Sequence, residues 1–190
     1  MSTTAIAPGV LSDRLPVSRL RDVTLVLGGV LFVALASQLV IPLWFTPVPL
    51  SLSTFAVILT GASLGPAKAA LSLSLYMLVG LAGAPVFAEG ASGWASASFG
   101  YIIGYILAAT VAGALAERSF DRSIGKTALL VLACSALVYS VGLPWLMATT
   151  GAGLGAGLQM GVVPFLMGDA IKGLAAMALL PAAWHFIGKR

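Results

Sequence analysis

This chain has 190 residues, of which 59% are hydrophobic and only 8% are charged. A soluble domain carries about 25% charged residues, so these values, with a mean hydropathy of +1.05, exclude an ordinary water-soluble protein. They predict an all-α polytopic membrane protein in contact with the lipid bilayer. The formal net charge of +4 does not indicate a nucleic-acid partner, because the basic residues flank apolar segments.

A polar tail comes first, followed by six apolar segments. Residues 1–22 are predicted to form a cytoplasmic tail, because a cleaved signal peptide would place positive charge before an apolar core. Residues 23–188 are predicted to form a single transmembrane domain. Its six predicted helices cover residues 23–40, 51–64, 67–81, 99–116, 127–147 and 164–187.

Three connections between these helices are rich in helix-breaking residues. Residues 41–50 contain three prolines, which favour an extended loop. Residues 83–98 are rich in Gly and Ser, and residues 148–163 are a Gly-rich connection with room for a short interfacial helix.

The basic residues fall on one side of this arrangement. If all six helices span, one side receives the N-terminal arginines and the following residues: Lys68, Arg118, Arg122, Lys126, Lys189 and Arg190. The connections on the other side contain Glu89 and no Lys or Arg. Basic residues flank membrane spans on the cytoplasmic side, so both termini are predicted to be cytoplasmic.

Lys172 is the one basic residue that this rule leaves unassigned. It follows Asp169 at a spacing of i and i+3, which places both side chains on one face of the last helix. One interpretation is an ion pair that only neutralises two buried charges. Charges within a membrane more often mark function, and an apolar pair would avoid the desolvation cost. A carboxylate acceptor beside an ammonium donor fits a neutral group that carries both N–H and C=O.

Catalytic and nucleotide-binding motifs are not found in the sequence. Gly125-Lys126-Thr127 resembles the end of a phosphate-binding loop, but Phe120 stands where the first glycine would be required. The single histidine, His185, has no neighbouring ligands for a metal site. A membrane-embedded enzyme or structural scaffold therefore ranks below a binding or transport function.

Five segments together carry a resemblance to a known family. Gln38 is followed by IPLWFTPVP at 41–49 and STFAV at 53–57. GLAGAPVFA at 80–88, GYIIGY at 100–105 and PFLMGDAIK at 164–172 follow in order. From the first helix to the last, the chain resembles the BioY family of biotin transporters.

The resemblance implies the fold, the ligand and the partners. It implies a six-helix bundle of the S-component type in the bacterial cytoplasmic membrane. The expected function is high-affinity biotin binding and uptake as the substrate-specific subunit of an energy-coupling factor (ECF) transporter, without a cofactor. The implied partners are a membrane scaffold (T) subunit and paired ABC ATPases. A solitary biotin transporter that works without the ATPases is the alternative.

The same resemblance, with donor–acceptor matching, suggests roles for individual residues. Asp169 is expected to accept from the urea N–H groups of biotin, and Lys172 to donate to the urea carbonyl. The rival assignment places Lys172 on the carboxylate of the biotin tail. Residues 45–49 are expected to form a gate over the site, and residues 87–94 a second wall. The remaining expected contacts are Phe45, Thr46 and Pro47 in the gate, Phe87 and Glu89 in the second wall, and Thr54 and Tyr101.

Overall fold

The computed structural model describes residues 9–187, so the first part of the predicted tail, Lys189 and Arg190 lie outside the described residues. The α-helices within this range are α1 (Arg19–Gln38), α2 (Ser53–Leu64), α3 (Pro66–Leu81), α4 (Phe99–Glu117), α5 (Ile124–Thr150), α6 (Leu154–Gly161) and α7 (Val163–Ile187). Two short antiparallel strands, β1 (Val40–Ile41) and β2 (Leu50–Ser51), pair between α1 and α2. Two 3-10 turns occur at Leu11–Arg14 and Ala88–Gly90.

The first helix begins four residues before the predicted start. Ser18 forms its N-terminal cap, since its hydroxyl accepts from the backbone N–H of Arg21 at 3.0 Å. Asp22 then lies in the first turn, where a negative charge stabilises a helix. Charged residues that the sequence placed in the tail are therefore the first turn of α1.

The fifth helix continues through Pro144 to Thr150. The last turns are held by tertiary packing, because Leu146 is fully buried and the Trp145 ring lies against Phe99 at 5.4 Å between centroids. The helix ends at Gly151, whose left-handed backbone (φ 71°, ψ 12°) is the common C-terminal cap of helices.

Helix α4 lies at the centre of the bundle and packs against α2, α3 and α5. Its alanines Ala108, Ala109 and Ala112 are fully buried. A Cβ added at Gly104 would lie 2.9 Å from the backbone of Val138 on α5. Small side chains thus allow close approach of the helix backbones, which is how membrane helices gain packing energy in lipid. Around this centre, α1 packs on α2 and α3, and α7 packs on α2 and α5.

The N-terminal segment, residues 9–18, closes one end of the bundle. Val10 is buried against Ala62 and Leu180. Asp121, in the turn between α4 and α5, is fully buried and accepts from the indole N–H of Trp184 on α7. Burial raises the pKa of this Asp121 carboxyl, although the Trp184 hydrogen bond opposes the shift. The segment, the turn and the end of α7 are thereby joined.

Length and apolar composition allow α1, α4, α5 and the α6–α7 segment each to cross a membrane. Helices α2 and α3 are shorter, with 12 and 16 residues. At 1.5 Å per residue they extend about 18 and 24 Å, against a hydrocarbon core of about 30 Å.

Candidate functional site

A central pocket lies at the end of the bundle opposite the N-terminal segment, where the α1–α2, α3–α4 and α5–α7 connections meet. Its polar lining consists of Ser51, Ser53, Thr54, Tyr76, Ser98, Tyr101, Tyr105, Tyr139, Asp169 and Lys172. Its apolar lining consists of Val48, Pro49, Ala88, Ile102, Val138 and Phe165. An apolar cavity with a few convergent polar groups is the usual form of a small-molecule site.

The empty space among the lining atoms of the pocket is about 560 Å³, including open solvent at the mouth.

Lys172 uses all of its donors within the protein. Its Nζ lies 2.8 Å from Asp169 Oδ1, one helical turn away on α7. It also donates to Thr54 Oγ1 at 2.7 Å and to the backbone oxygen of Ser51 at 3.0 Å. An ammonium group has three N–H donors, so these contacts satisfy it completely.

Asp169 is held from a second helix as well. The hydroxyl of Tyr139 on α5 donates to Asp169 Oδ2, while Oδ1 faces Lys172. The side chains of Asp169 and Lys172 are 14% and 12% exposed. The result is a net-neutral polar cluster, largely shielded from solvent, that joins α2, α5 and α7.

A chain of buried hydroxyl groups leads from this cluster to the α3–α4 connection. Ser51 and Ser53 are joined at 2.8 Å, Ser53 donates to Ser37 at 3.0 Å, and Ser37 contacts the Tyr76 hydroxyl at 2.8 Å. Tyr76 also donates to the backbone oxygen of Val86 at 3.2 Å. Hydrogen bonds therefore connect the pocket wall to the α3–α4 connection at 82–98.

Four of the predicted site residues line this pocket. Asp169 and Lys172 form its charged pair, and Thr54 contacts both of them, with Thr54 Oγ1 lying 3.5 Å from Asp169 Oδ1. Tyr101 on α4 lies beside Tyr139, with 6.5 Å between ring centroids, and its hydroxyl donates to the backbone oxygen of Gly161 at 2.8 Å. The structure thus brings these four side chains together.

Within the predicted gate at 45–49, the three expected contact residues lie beside the pocket but outside its lining. Phe45 and Pro47 are exposed. Thr46 is buried, and its hydroxyl donates to the backbone oxygen of Met160 at 2.8 Å. The following residues, Val48 and Pro49, supply the part of this loop that lines the pocket.

Phe87 and Glu89 also lie outside the lining. The Phe87 ring is buried in the space beside Gly80 and stacks edge-on with Tyr76, so it belongs to the helix core. Glu89 is exposed in a tight turn, with a left-handed backbone (φ 60°). From this segment it is Ala88 that reaches the pocket.

Tyr139, Tyr105 and Ser51 are pocket residues that the sequence analysis did not identify. Tyr139 stands in the middle of the predicted apolar helix at 127–147. A polar group at that depth is a signal of a functional site, and it could have been recognised on that ground.

The fold and the pocket define a class. The chain is an α-helical membrane protein that encloses a pocket around a net-neutral Asp–Lys pair. Its sequence matches the model of the BioY family over residues 8–189. The chain belongs to the BioY family.

Individual relatives agree with this membership. The chain is 36% identical to the "Probable biotin transporter BioY" of Pyrococcus horikoshii, covering 78% of this chain and 89% of that protein. It is 30% identical to the "Biotin transporter BioY" of Rhizobium etli, covering 84% and 90% of the two chains. It is 31% identical to "Biotin transporter BioY2" of Lactococcus lactis, covering 88% and 94%.

A solved structure shares the fold. The crystal structure of the S-component for biotin from an ECF-type ABC transporter superposes with a TM-score of 0.77 at 24% identity. The match covers 88% of this chain and 94% of that one. The predicted all-α, S-component-like bundle is confirmed, as is a multi-pass protein of the cytoplasmic membrane. The prediction of a transport protein rather than an enzyme is also confirmed by the family.

Proposed function

We propose that this chain binds biotin and serves as the substrate-specific subunit of an ECF-type importer. The observation that carries the proposal is the Asp169–Lys172 pair, at 2.8 Å, inside the central pocket of a BioY family member. The names of the relatives, which are biotin transporters, support the choice of ligand.

The chemistry of the pair matches the head group of biotin. Biotin has a cyclic urea with two N–H donors and one C=O acceptor. Asp169 offers lone pairs to the N–H groups, and Lys172 offers a donor to the carbonyl. The ligand carbonyl replaces the backbone oxygen of Ser51, which is the longest of the three Lys172 contacts at 3.0 Å. The loss of a hydrogen bond to one neutral oxygen is then balanced by a bond to another.

The remaining lining suits the rest of the ligand. The rings of Tyr101 and Phe165 lie 6.4 Å apart between centroids on the same side of the pocket. They offer apolar surface to the thioether ring of biotin, while Val48 and Pro49 cover it from the loop at 42–49.

We further propose six membrane spans, formed by α1 to α5 and α7, in a single transmembrane domain with both termini in the cytoplasm. Lys68, Arg118 and Lys126 lie at the end of the bundle opposite the pocket, which supports this orientation by the positive-inside rule. The pocket then opens to the outer face, as an importer requires. Helix α6 lies at the outer surface and does not span.

The proposed partners are a membrane scaffold (T) subunit and paired ABC ATPases. The ECF-type neighbour in fold supports this arrangement. A solitary transporter remains the second candidate for the mode of transport. Biotin uptake should stop in cells that lack the scaffold and the ATPases, whereas undiminished uptake would favour the solitary mode.

The proposal is tested by Asp169→Asn. The substitution keeps the size of the side chain but replaces one carboxylate oxygen by an amide donor. Losing a charged hydrogen bond costs about 1.5–3 kcal/mol, so the Kd for biotin should rise roughly tenfold or more. Calorimetric titration of the purified chain with biotin measures this, with thiamine and riboflavin as non-ligands.

The matched control is Asp22→Asn. Asp22 lies at the other end of the bundle, where it pairs with Arg21 at 2.7 Å. This variant should bind biotin as the parent chain does. Unchanged biotin binding by a folded Asp169→Asn variant would refute the assigned role.

A further inference from the structure

We infer that the polar groups of the site recognise the ureido head of biotin and not its carboxylate, and that derivatives with a neutral tail bind with an affinity close to that of biotin itself. The ligand class is then wider than the free acid and includes biotin whose carboxylate is replaced by an amide or an ester. This inference rests on the proposed function and names the substrate class of the same site.

The pocket has no cation to spare for a carboxylate. Among the described residues that line it, Lys172 is the only Lys or Arg. Its three donors are occupied by Asp169, Thr54 and the backbone of Ser51 in the free chain, and the urea carbonyl takes the place of the Ser51 oxygen in the proposed complex. Moving the ammonium to a ligand carboxylate would leave Asp169 with a less compensated charge in a largely buried site, which is costly.

The connections around the mouth of the pocket supply no cation either. Residues 39–52, 82–98 and 151–162 contain no Lys or Arg, and their one charged residue is Glu89. Glu89 directly follows Ala88, which lines the pocket. A negatively charged tail that points toward the mouth therefore meets a weak repulsion instead of an ion pair.

One feature of the mouth favours an anion. Helix α4 begins at Phe99, and Ser98 before it lines the pocket. The positive end of a helix dipole strengthens the binding of an anion by roughly two- to fivefold. The exposed Glu89 acts in the opposite direction. The free acid and a neutral-tailed derivative should consequently differ by less than about fivefold.

The test compares biotin with biotinamide and biotin methyl ester on the purified full chain in detergent. Titration calorimetry gives the Kd of each ligand. The inference expects both neutral ligands to bind within fivefold of biotin. If the neutral ligands bind more than fivefold more weakly than biotin while biotin still binds, the inference is overturned and the proposed function is not. Failure of the folded chain to bind biotin refutes the proposed function instead.

A charge reversal tests the physical cause. Glu89→Lys places a cation beside the mouth without touching the pair that binds the head group. Biotin should then bind about two- to fivefold more tightly at low salt, and biotinamide should bind as before. The same change in Kd for both ligands, or none for either, would contradict the electrostatic argument.

Discussion

Replacing Lys172 by methionine removes three hydrogen bonds from the central pocket and keeps most of the side-chain volume. Asp169 then loses its charge partner, while Thr54 and the backbone oxygen of Ser51 each lose a donor. Breaking a buried ion pair by removing one partner costs about 3–5 kcal/mol. Hydrogen bonds within membrane proteins average only about 0.6 kcal/mol, and Asp169 retains its bond from Tyr139. We therefore expect a loss of about 3 kcal/mol in the free energy of unfolding.

Removing the second charge should recover part of that loss. In the double variant Asp169→Asn with Lys172→Met, no unpaired charge remains in the pocket. Its destabilisation should be smaller than the sum of the two single effects by about 1–3 kcal/mol, because the two residues are in direct contact.

Unfolding of the purified variants by SDS in mixed micelles provides the free energies. Lys68→Met is the matched control, since Lys68 lies 3.5 Å from Asp22 at the other end of the bundle and that aspartate is 45% exposed. An exposed pair of this kind contributes about 0–1 kcal/mol. If Lys172→Met cost no more than Lys68→Met, or if the single effects were additive, the pair would not be the buried, coupled unit described above.

Two further variants probe the rest of the bundle. Asp121→Asn should remove a dependence of stability on pH. Burial raises the pKa of Asp121 above its ordinary value of 3.8, so the native carboxyl keeps its proton at pH values where the unfolded chain has lost it. The free energy of unfolding of the parent chain therefore falls as pH rises through this range. Melting temperatures between pH 4 and 8 should therefore favour the variant increasingly over the parent, and parallel profiles would contradict this. Gly104→Leu should destabilise the bundle by more than about 2 kcal/mol, because its Cβ would lie 2.9 Å from the backbone of Val138. Gly28→Ala should be tolerated, since Gly28 has open space around it. Equal melting temperatures for the two glycine variants would count against the packing described.

A net-neutral pair also explains how the site holds charges within a membrane protein. Asp169 and Lys172 compensate each other, and both are satisfied by neutral groups from α2 and α5. A ligand that brings matched donors and acceptors exchanges hydrogen bonds without adding charge. A cyclic urea meets that condition.

Local sequence patterns determined a large part of this description. The scarcity of charges required a membrane protein, and uninterrupted apolar runs located the long helices to within a few residues of their ends. The spacing of Asp169 and Lys172 placed them on one helix face, since 3.6 residues complete a turn. These features depend only on chain composition and helix periodicity.

Helix boundaries were less accessible from the sequence. The sequence predicts an end of the fifth helix at residue 147, but packing of its last turns continues it to Thr150. The early start of α1 depends on the cap at Ser18. Both differences arise because packing and single capping hydrogen bonds contribute about 1 kcal/mol, which is more than the local helix propensities of these residues oppose.

Only the tertiary structure decided which groups surround the charged pair. Tyr139 is 30 residues from Asp169, and Thr54 is 118 residues from Lys172, so no local pattern relates them. Along the loops, the predicted side chains are either exposed, as at Phe45, Pro47 and Glu89, or buried outside the pocket, as at Thr46 and Phe87. Val48, Pro49 and Ala88 line the pocket instead. The sequence itself determined the chemistry of the pair. The packing of α2, α5 and α7 determined the neighbours that hold it. Contacts between distant segments depend on how the helices meet and not on their order in the chain.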